Sequence, residues 1–314
     1  MKHDISSVME NSFHCVLCNS KDSQLLHLVP GHYSEEIYKV VVCSSCGMIQ
    51  VYPRPSKHYL KSFYDSHFDA DVVTTSPYRI FVFEKILTQI KKRFPKPASL
   101  LDVGCGNGSF LETAKKFSRN VCGVDTSAYC CRTCKEKSLT VYCGELEEVN
   151  FPNSSFDVVT MFHVIEHVLD PRSLLVEVRR ILKVGGGVVV RTPNVDSKIS
   201  KATGPYWGWM NPPFHLNYFS PSSLSKILEN TGFSVDLITT RFSPEYNKNF
   251  FTELLFSMYR RLTTKMKHGT YSKESVGRKV HSRLTEGPIK RVLTTPTFLD
   301  GDKEIVAFAC KLTT

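Results

Sequence analysis

Residues 98–108, ASLLDVGCGNG, decide the fold. An apolar run of strand length leads into three glycines at alternate positions, Gly104, Gly106 and Gly108, with Asp102 two residues ahead of the first. A βα turn this tight requires glycine, because a Cβ would clash where the backbone reverses and where a ligand lies against it. The next strand-like run, 120–124, ends in Asp125, and a carboxylate at a strand tip suits a pair of ribose hydroxyls. Strand, glycine turn, helix, strand and acid predict a nucleotide-type pocket at the carboxyl edge of a parallel sheet. The dinucleotide spacing G-x-G-x-x-G is not met, since Ser109 stands three residues after Gly106.

Downstream the alternation continues. SFLETAKKF reads as a helix, NVCGVD as the second strand, SAYCCRTCKEKS as a helix, and LTVYCG as a third strand leading to Glu145 and Leu146. A fourth apolar strand, 156–160, runs into Met161, Phe162 and His163, with a helix expected from about Glu166 and His167. SLLVEVRRILKVGGGVVVRTPN gives a helix, a glycine turn at 185–187 and a fifth strand. SPSSLSKILENTGF is a helix capped by Ser220 and Pro221 and ended by Gly232, followed by strands FSVDLITTRF and EIVAFACKL.

The run at 98–108 resembles motif I of class I methyltransferases, and the later segments fit that family in order. The stretch 156–167 resembles the ubiquinone-biosynthesis type. FHLNYFSPSSL resembles a signature of a branch that pairs a zinc ribbon with this domain and occurs among surface-polysaccharide and sugar-modifying methyltransferases. The resemblance implies an α/β fold with a seven-stranded Rossmann-like sheet, an N-terminal zinc ribbon and a helical insertion before the last strand. It implies S-adenosylmethionine as cofactor, held by Gly104, Gly106 and Asp125, with Asp102 toward the ammonium-bearing amino acid end. Glu145 would take the adenine amino group and the Leu146 amide a ring nitrogen, with Glu147 and Glu148 as rivals to Glu145. Phe162 and His163 would line the methyl-transfer position. Aromatic residues ahead of motif I, Tyr64 or Tyr78, would fold over the cofactor.

The N-terminal part carries Cys15-x-x-Cys18 and Cys43-x-x-Cys46. Two such pairs are the spacing of a four-thiolate zinc site, and four thiolates leave no position for water, so the zinc is expected to be structural. The reading divides the chain into a ribbon at 1–56, a helical lead-in at 57–97 and a catalytic domain at 98–314, with the insertion at 243–302. Loss of the metal is expected to unfold the ribbon and leave the rest folded. In the lead-in, IFVFEKILTQIKKRF carries apolar residues at helical spacing and is read as packing on the sheet.

His163-x-x-Glu166-His167 spells the inverted zinc-protease motif, but His163 follows directly on a strand, so the two histidines do not share a helix face. In some relatives the corresponding turn is Glu-x-x-Glu-His and holds a divalent ion. Here His163 replaces the first Glu, which leaves a metal site and a hydrogen-bonded turn with His163 facing the substrate as the two readings. Trp207 and Trp209 form either an apolar rim for a sugar or aromatic ring or a packed loop core. His163 and His215 are the candidates for general base, since each titrates near the needed pH. Cys131 and Cys134 form a CxxC, read as ordinary cysteines one helical turn apart.

A hydrophobic fraction of 41% supports a sizeable core. No run approaches the length of a membrane span, and residues 1–12 contain acids and no apolar h-region, which predicts a cytoplasmic protein. Eleven cysteines then point to reduced thiols and metal ligation. The net charge of +10 is concentrated late: residues 248–291 hold 11 basic residues against Glu253, Glu274 and Glu286. Within that stretch Phe250, Leu254, Met258 and Leu262 recur at helical steps, which suits contact with an anionic membrane surface, or a lid or dimer contact with solvated charges. A small-molecule or glycan acceptor is expected, with RNA disfavoured by the charge-neutral ribbon. A non-catalytic cofactor-binding module is the remaining rival.

Overall fold

The computed structural model describes residues 12–31, 36–67, 77–94, 97–240, 257–258 and 303–312, with backbone alone at 64–67 and 77–78. Apart from Ser257 and Met258, the basic insertion lies outside the described residues, as do the side chains of Tyr64 and Tyr78. In chain order the elements are β1 (Ser23–Pro30), β2 (Ile37–Cys43), β3 (Ile49–Val51), α1 (Lys57–His67), α2 (Pro77–Arg93), β4 (Ser99–Val103) and α3 (Ser109–Ala114). There follow β5 (Asn120–Asp125), α4 (Ala128–Glu136), β6 (Thr140–Cys143), α5 (Leu146–Val149), β7 (Phe156–Phe162), α6 (Pro171–Ile181) and β8 (Leu182–Pro193). The last are α7 (Lys198–Thr203), β9 (Asn217–Tyr218), α8 (Pro221–Asn230), β10 (Phe233–Thr239) and β11 (Glu304–Lys311).

A seven-stranded sheet has the order β10-β11-β8-β7-β4-β5-β6. Its β4, β5, β6, β7 and β8 pairings are parallel, while β11 is antiparallel to both β8 and β10. All five residues of β4 are buried, as a strand covered on both faces requires. The period of two sorts the strand residues between two cores. Leu100, Val158, Val189, Val306 and Phe308 meet Val82, Phe83, Ile86, Leu87 and Ile90 of α2. Leu101, Val159, Val188, Val190, Ile305 and Ala307 face the opposite side, with Val178 of α6 and Ile227 of α8.

That second core also contains Phe13, Cys15, Leu17, Val41, Cys43 and Met48 of the ribbon. The ribbon strands form a four-stranded sheet in the order β1-β2-β3-β9, so its last member comes from the segment after β8. Ile49 pairs with Tyr218 and Gln50 with Asn217. The proline-rich link adds Arg54, whose Nη2 donates to the carbonyls of Val168 and Leu169 at 3.1 and 2.7 Å and to Asn217 Oδ1 at 3.1 Å. The boundary read at residue 56 therefore does not separate two cores.

Two local expectations are corrected. No helix starts at Glu166: residues 163–170 form an irregular turn, and α6 begins at Pro171 behind the Asp170 cap, whose Oδ1 accepts the Arg172 and Ser173 amides. The glycines at 185–187 lie inside β8 as a bulge, because the pairing jumps from Phe156 opposite Leu182 to Val158 opposite Gly187. Nine of the eleven cysteines are free thiols, in line with the sequence reading, and the Cys131 and Cys143 sulfurs meet between α4 and β6.

Candidate active site

The glycine turn is held by the chain itself before any ligand is considered. Gly104 has φ +69°, and a Cβ there would run into Val164 of the turn after β7. The Gly104 amide donates to the Val124 carbonyl at 2.8 Å. Asp125, at the tip of β5, accepts the Gly106 amide on Oδ2 and the Ser127 amide on Oδ1, each at 2.8 Å. A carboxylate has about four acceptor positions, so lone pairs remain on both oxygens for a pair of hydroxyls. Burial pushes its pKa up against those two backbone bonds. Asp102 is buried at the end of β4, with the Thr160 hydroxyl donating to Oδ1 at 2.5 Å. Burial pushes Asp102 up to about 8, opposed by that hydrogen bond and by the charge of Arg79. An arriving ammonium would offset the burial and favour the carboxylate form.

The remaining cofactor-side residues are drawn together differently. Glu145 caps α5 in a capping box with Glu148, and its Oε2 lies 2.6 Å from Nζ of Lys57 on α1. The lead-in thus reaches the edge that the resemblance assigns to adenine. Leu146 beside it is buried. Phe162 packs its ring against Phe110 at 4.8 Å and Phe83 at 6.0 Å, between α3 and α2.

The turn after β7 carries the second group. His163 adopts φ +57°, a conformation in which histidine is one of the less disfavoured residues, and its amide donates to the Arg191 carbonyl. Its Nδ1 lies 3.1 Å from Glu166 Oε1 and its Nε2 3.1 Å from Glu304 Oε1. Glu304, at the start of β11, also takes Arg191 Nη2 at 2.6 Å and Nε at 3.1 Å. Burial alone would lower the His163 pKa, but the two carboxylates prevail and push it up to about 9. Burial opposes the charge on Glu166 as well, and His163 outweighs it, holding Glu166 at about 2. The two carboxylates thus favour the imidazolium form of His163, with Nδ1 hydrogen-bonded to Glu166 and Nε2 close to Glu304 without a hydrogen bond. That form leaves no lone pair for the general-base role offered in the sequence.

His215 is held in the opposite state. Its Nδ1 donates to the Trp209 carbonyl at 2.8 Å, and burial pushes its pKa down to about 3. His167 donates from Nδ1 to the Phe214 carbonyl at 2.8 Å, and burial lowers its pKa too. The His167 and His215 rings meet edge to face at 4.7 Å. Trp209 stacks between His163 and His215, 5.4 Å from each. Trp207 is buried in a core with Val29, Tyr38 and Met210, so the two tryptophans do not form an open rim.

Arg191, Glu304, Thr160 and Lys57 were missed in the sequence. Arg191 had a signal: an arginine inside VVVRTP, where neighbours are buried, must have a buried partner. Its partner, 113 residues away, had none.

In the ribbon, Cys15 and Cys46 sulfurs are 3.4 Å apart and those of Cys18 and Cys43 are 3.6 Å apart, with all four within 4.8 Å. Each knuckle closes identically. Asn19 donates to the Cys15 carbonyl at 2.9 Å and Gly47 to the Cys43 carbonyl at 3.0 Å, both residues having positive φ. Sulfurs bound at about 2.3 Å in a tetrahedron sit roughly 3.8 Å apart, so this cradle fits one zinc ion.

A parallel sheet with an antiparallel penultimate strand, a glycine turn and an acid at the next strand tip define a Rossmann-like domain of the methyltransferase class. The family described as "Methyltransferase domain" matches residues 78–238, and the chain belongs to it. A protein of Mycolicibacterium smegmatis described as a probable S-adenosylmethionine-dependent methyltransferase is 32% identical over 139 residues, which are 44% of this chain and 52% of that one. The ubiquinone biosynthesis O-methyltransferase of Methylococcus capsulatus is 36% identical over 101 residues, 30% of this chain and 43% of that one. The chain thus spans about half the length of these curated relatives. A solved S-adenosylmethionine-dependent methyltransferase from Thermotoga maritima shares the fold, with a TM-score of 0.50 and 19% identity over 81% of this chain and 99% of that one.

Because Asp125 braces the glycine turn and the resemblance assigns it the ribose hydroxyls, Asp125→Ala is expected to weaken S-adenosylhomocysteine binding at least about tenfold. Hydrogen bonds to a charged group contribute about 1.5–3 kcal/mol, and tenfold is about 1.4 kcal/mol. Calorimetry giving an unchanged Kd would remove Asp125 from the site.

Proposed function

We propose that the protein transfers a methyl group from S-adenosylmethionine to a small-molecule or glycan acceptor, with one structural zinc ion in its ribbon. The observation that carries this reading is the braced glycine turn, in which Asp125 holds the Gly106 amide and keeps lone pairs for ribose. Bound S-adenosylmethionine supplies an electrophilic sulfonium methyl. The chain's part is to align an acceptor for in-line attack and, for a hydroxyl acceptor, to deal with its proton. Proton removal is assigned to the His167–His215 pair, because each gives its Nδ1 hydrogen to a backbone carbonyl and so carries its lone pair on Nε2; the acceptor must offset the burial that depresses both pKa values. The names of relatives that include ubiquinone O-methyltransferases support a small acceptor.

His215→Ala is expected to lower kcat at least about a hundredfold while leaving S-adenosylhomocysteine affinity within about twofold, the lower bound for loss of acid–base assistance. Labelled methyl transfer to sugar nucleotides, lipid-linked glycans, quinol precursors and total RNA tests the acceptor class. Transfer to RNA alone would overturn the small-acceptor reading, and transfer to none, with cofactor bound, would favour a non-catalytic module.

A further inference from the structure

We propose that Asn217 is the positioning residue of the acceptor side: one buried amide that fixes the turn carrying His167 and the segment carrying His215 relative to each other, with Arg54 behind it. This role rests on the methyltransferase reading. The turn at 163–170 has no regular secondary structure, so its carbonyls must find donors elsewhere. Four of them find those donors in two segments distant along the chain. The Ile165 and Val168 carbonyls accept Asn217 Nδ2 at 3.1 and 2.8 Å. The Glu166 carbonyl accepts the Leu216 and Asn217 amides at 2.8 and 3.0 Å. The Val168 and Leu169 carbonyls accept Arg54 Nη2 at 3.1 and 2.7 Å, and the same nitrogen reaches Asn217 Oδ1 at 3.1 Å.

The chemistry of the site demands this side chain. Asn217 is 1% exposed, and its amide group gives hydrogens to two carbonyls and a lone pair to a guanidinium. Turned over, the amide would set its oxygen against two carbonyl oxygens, so its partners fix one orientation. Aspartate would face those carbonyls with no hydrogen to give, and glutamine would force an extra methylene into a buried space. Ile165 and Val168 bracket Glu166 and His167, so holding their carbonyls fixes the direction in which His167 leaves the turn. Asn217 itself lies two residues after His215. A single side chain thereby sets the spacing of two imidazoles that meet edge to face at 4.7 Å, each with Nδ1 on a backbone carbonyl at 2.8 Å. Misplacing a reacting group by about 1 Å can cost roughly a hundredfold in rate. Asn217 is held in turn from the ribbon. Gln50 pairs with it across β3 and β9, and the Gln50 side chain accepts the Val16 amide at 3.1 Å and donates to the His14 carbonyl at 3.0 Å, at the first cysteine knuckle. The ribbon is thus the scaffold of the acceptor site.

Imidazole nitrogen-15 spectra of the full-length protein test this, with His167→Gln and His215→Gln assigning the two rings. Wild-type protein is expected to show both rings protonated on Nδ1 and bare on Nε2. Asn217→Ala is expected to lose that pattern at both rings, as mixed tautomers or broadened signals, while its Kd for S-adenosylhomocysteine stays within about twofold, as for independent sites. On the acceptor found by labelled methyl transfer, its kcat is expected to fall about a hundredfold at unchanged KM for S-adenosylmethionine. Arg54→Gln, which withdraws only the guanidinium behind the amide, is expected to give the same signature in weaker form, and it carries the test if Asn217→Ala does not fold. Ile227→Ala, in the core under α8, is the control for lost stability alone and is expected to keep both tautomers. Unchanged tautomers in the folded Asn217 and Arg54 variants, or the same loss in Ile227→Ala, would overturn the role. So would cofactor affinity falling in step with the tautomers, the mark of general loosening. Wild-type protein that shows both tautomers yet binds no S-adenosylhomocysteine would instead remove the methyltransferase reading, and the positioning role with it.

Discussion

Cys43→Ser is expected to release the ribbon zinc and to destabilise the whole described fold, not the ribbon alone. Structural zinc sites carry apparent binding free energies of about 10–16 kcal/mol, as large as the roughly 5–15 kcal/mol that holds a whole domain folded. Here the ribbon cannot unfold by itself. Removing β3 would strip β9 of its partner, and withdrawing Phe13, Leu17 and Met48 would open the core shared with α6, α8 and the central strands. It would also detach Arg54 from the turn that carries Glu166 and His167. A loss of about 4 kcal/mol would lower Tm by roughly 8–16 °C for a domain of this size. Metal analysis and a melt followed by near-ultraviolet circular dichroism check this. Wild-type protein without zinc would refute the site. A zinc-free variant melting at the wild-type temperature would show that the ribbon is energetically separate.

Glu304→Ala is expected to cost about 3–5 kcal/mol, the usual penalty for removing one member of a buried ion pair. Arg191 and Glu304 are each about 1% exposed, and Glu304 also faces His163. Removing Glu304 leaves a guanidinium and an imidazolium sharing a buried space with Glu166 as the nearest counter-charge. The double variant Arg191→Met with Glu304→Leu should recover much of that loss, because replacing a buried pair by apolar groups is often neutral or better. Urea midpoints measure both. A single variant within about 0.5 kcal/mol of wild type would mean that water reaches this pair.

The glycine turn and its brace were legible because their determinants are local. Gly104, Gly106 and Asp125 are set by a turn and the next strand tip, and the spacing of glycines in ASLLDVGCGNG encodes both. The four-cysteine cluster was legible for the same reason, as each knuckle needs only Cys-x-x-Cys and a residue that tolerates positive φ after it. The acceptor half was not. His163 and His215 looked equivalent in the sequence, since each is a histidine near a strand end. Tertiary packing set one between Glu166 and Glu304, which raise its pKa, and buried the other under Trp209, which lowers it.

The sequence by itself determined the seven-stranded sheet, by resemblance, the four-cysteine cradle and the glycine turn, while the strand order came from the structure. Each follows from residue type at short spacing, where chain geometry leaves few alternatives. Only the tertiary structure decided that the ribbon and the methyltransferase domain share one core, that Glu304 charges His163, and that His215 joins Glu166 and His167. Those outcomes depend on which buried charges face each other across long chain separations, and charge, unlike hydrophobic periodicity, leaves no repeating pattern along the chain.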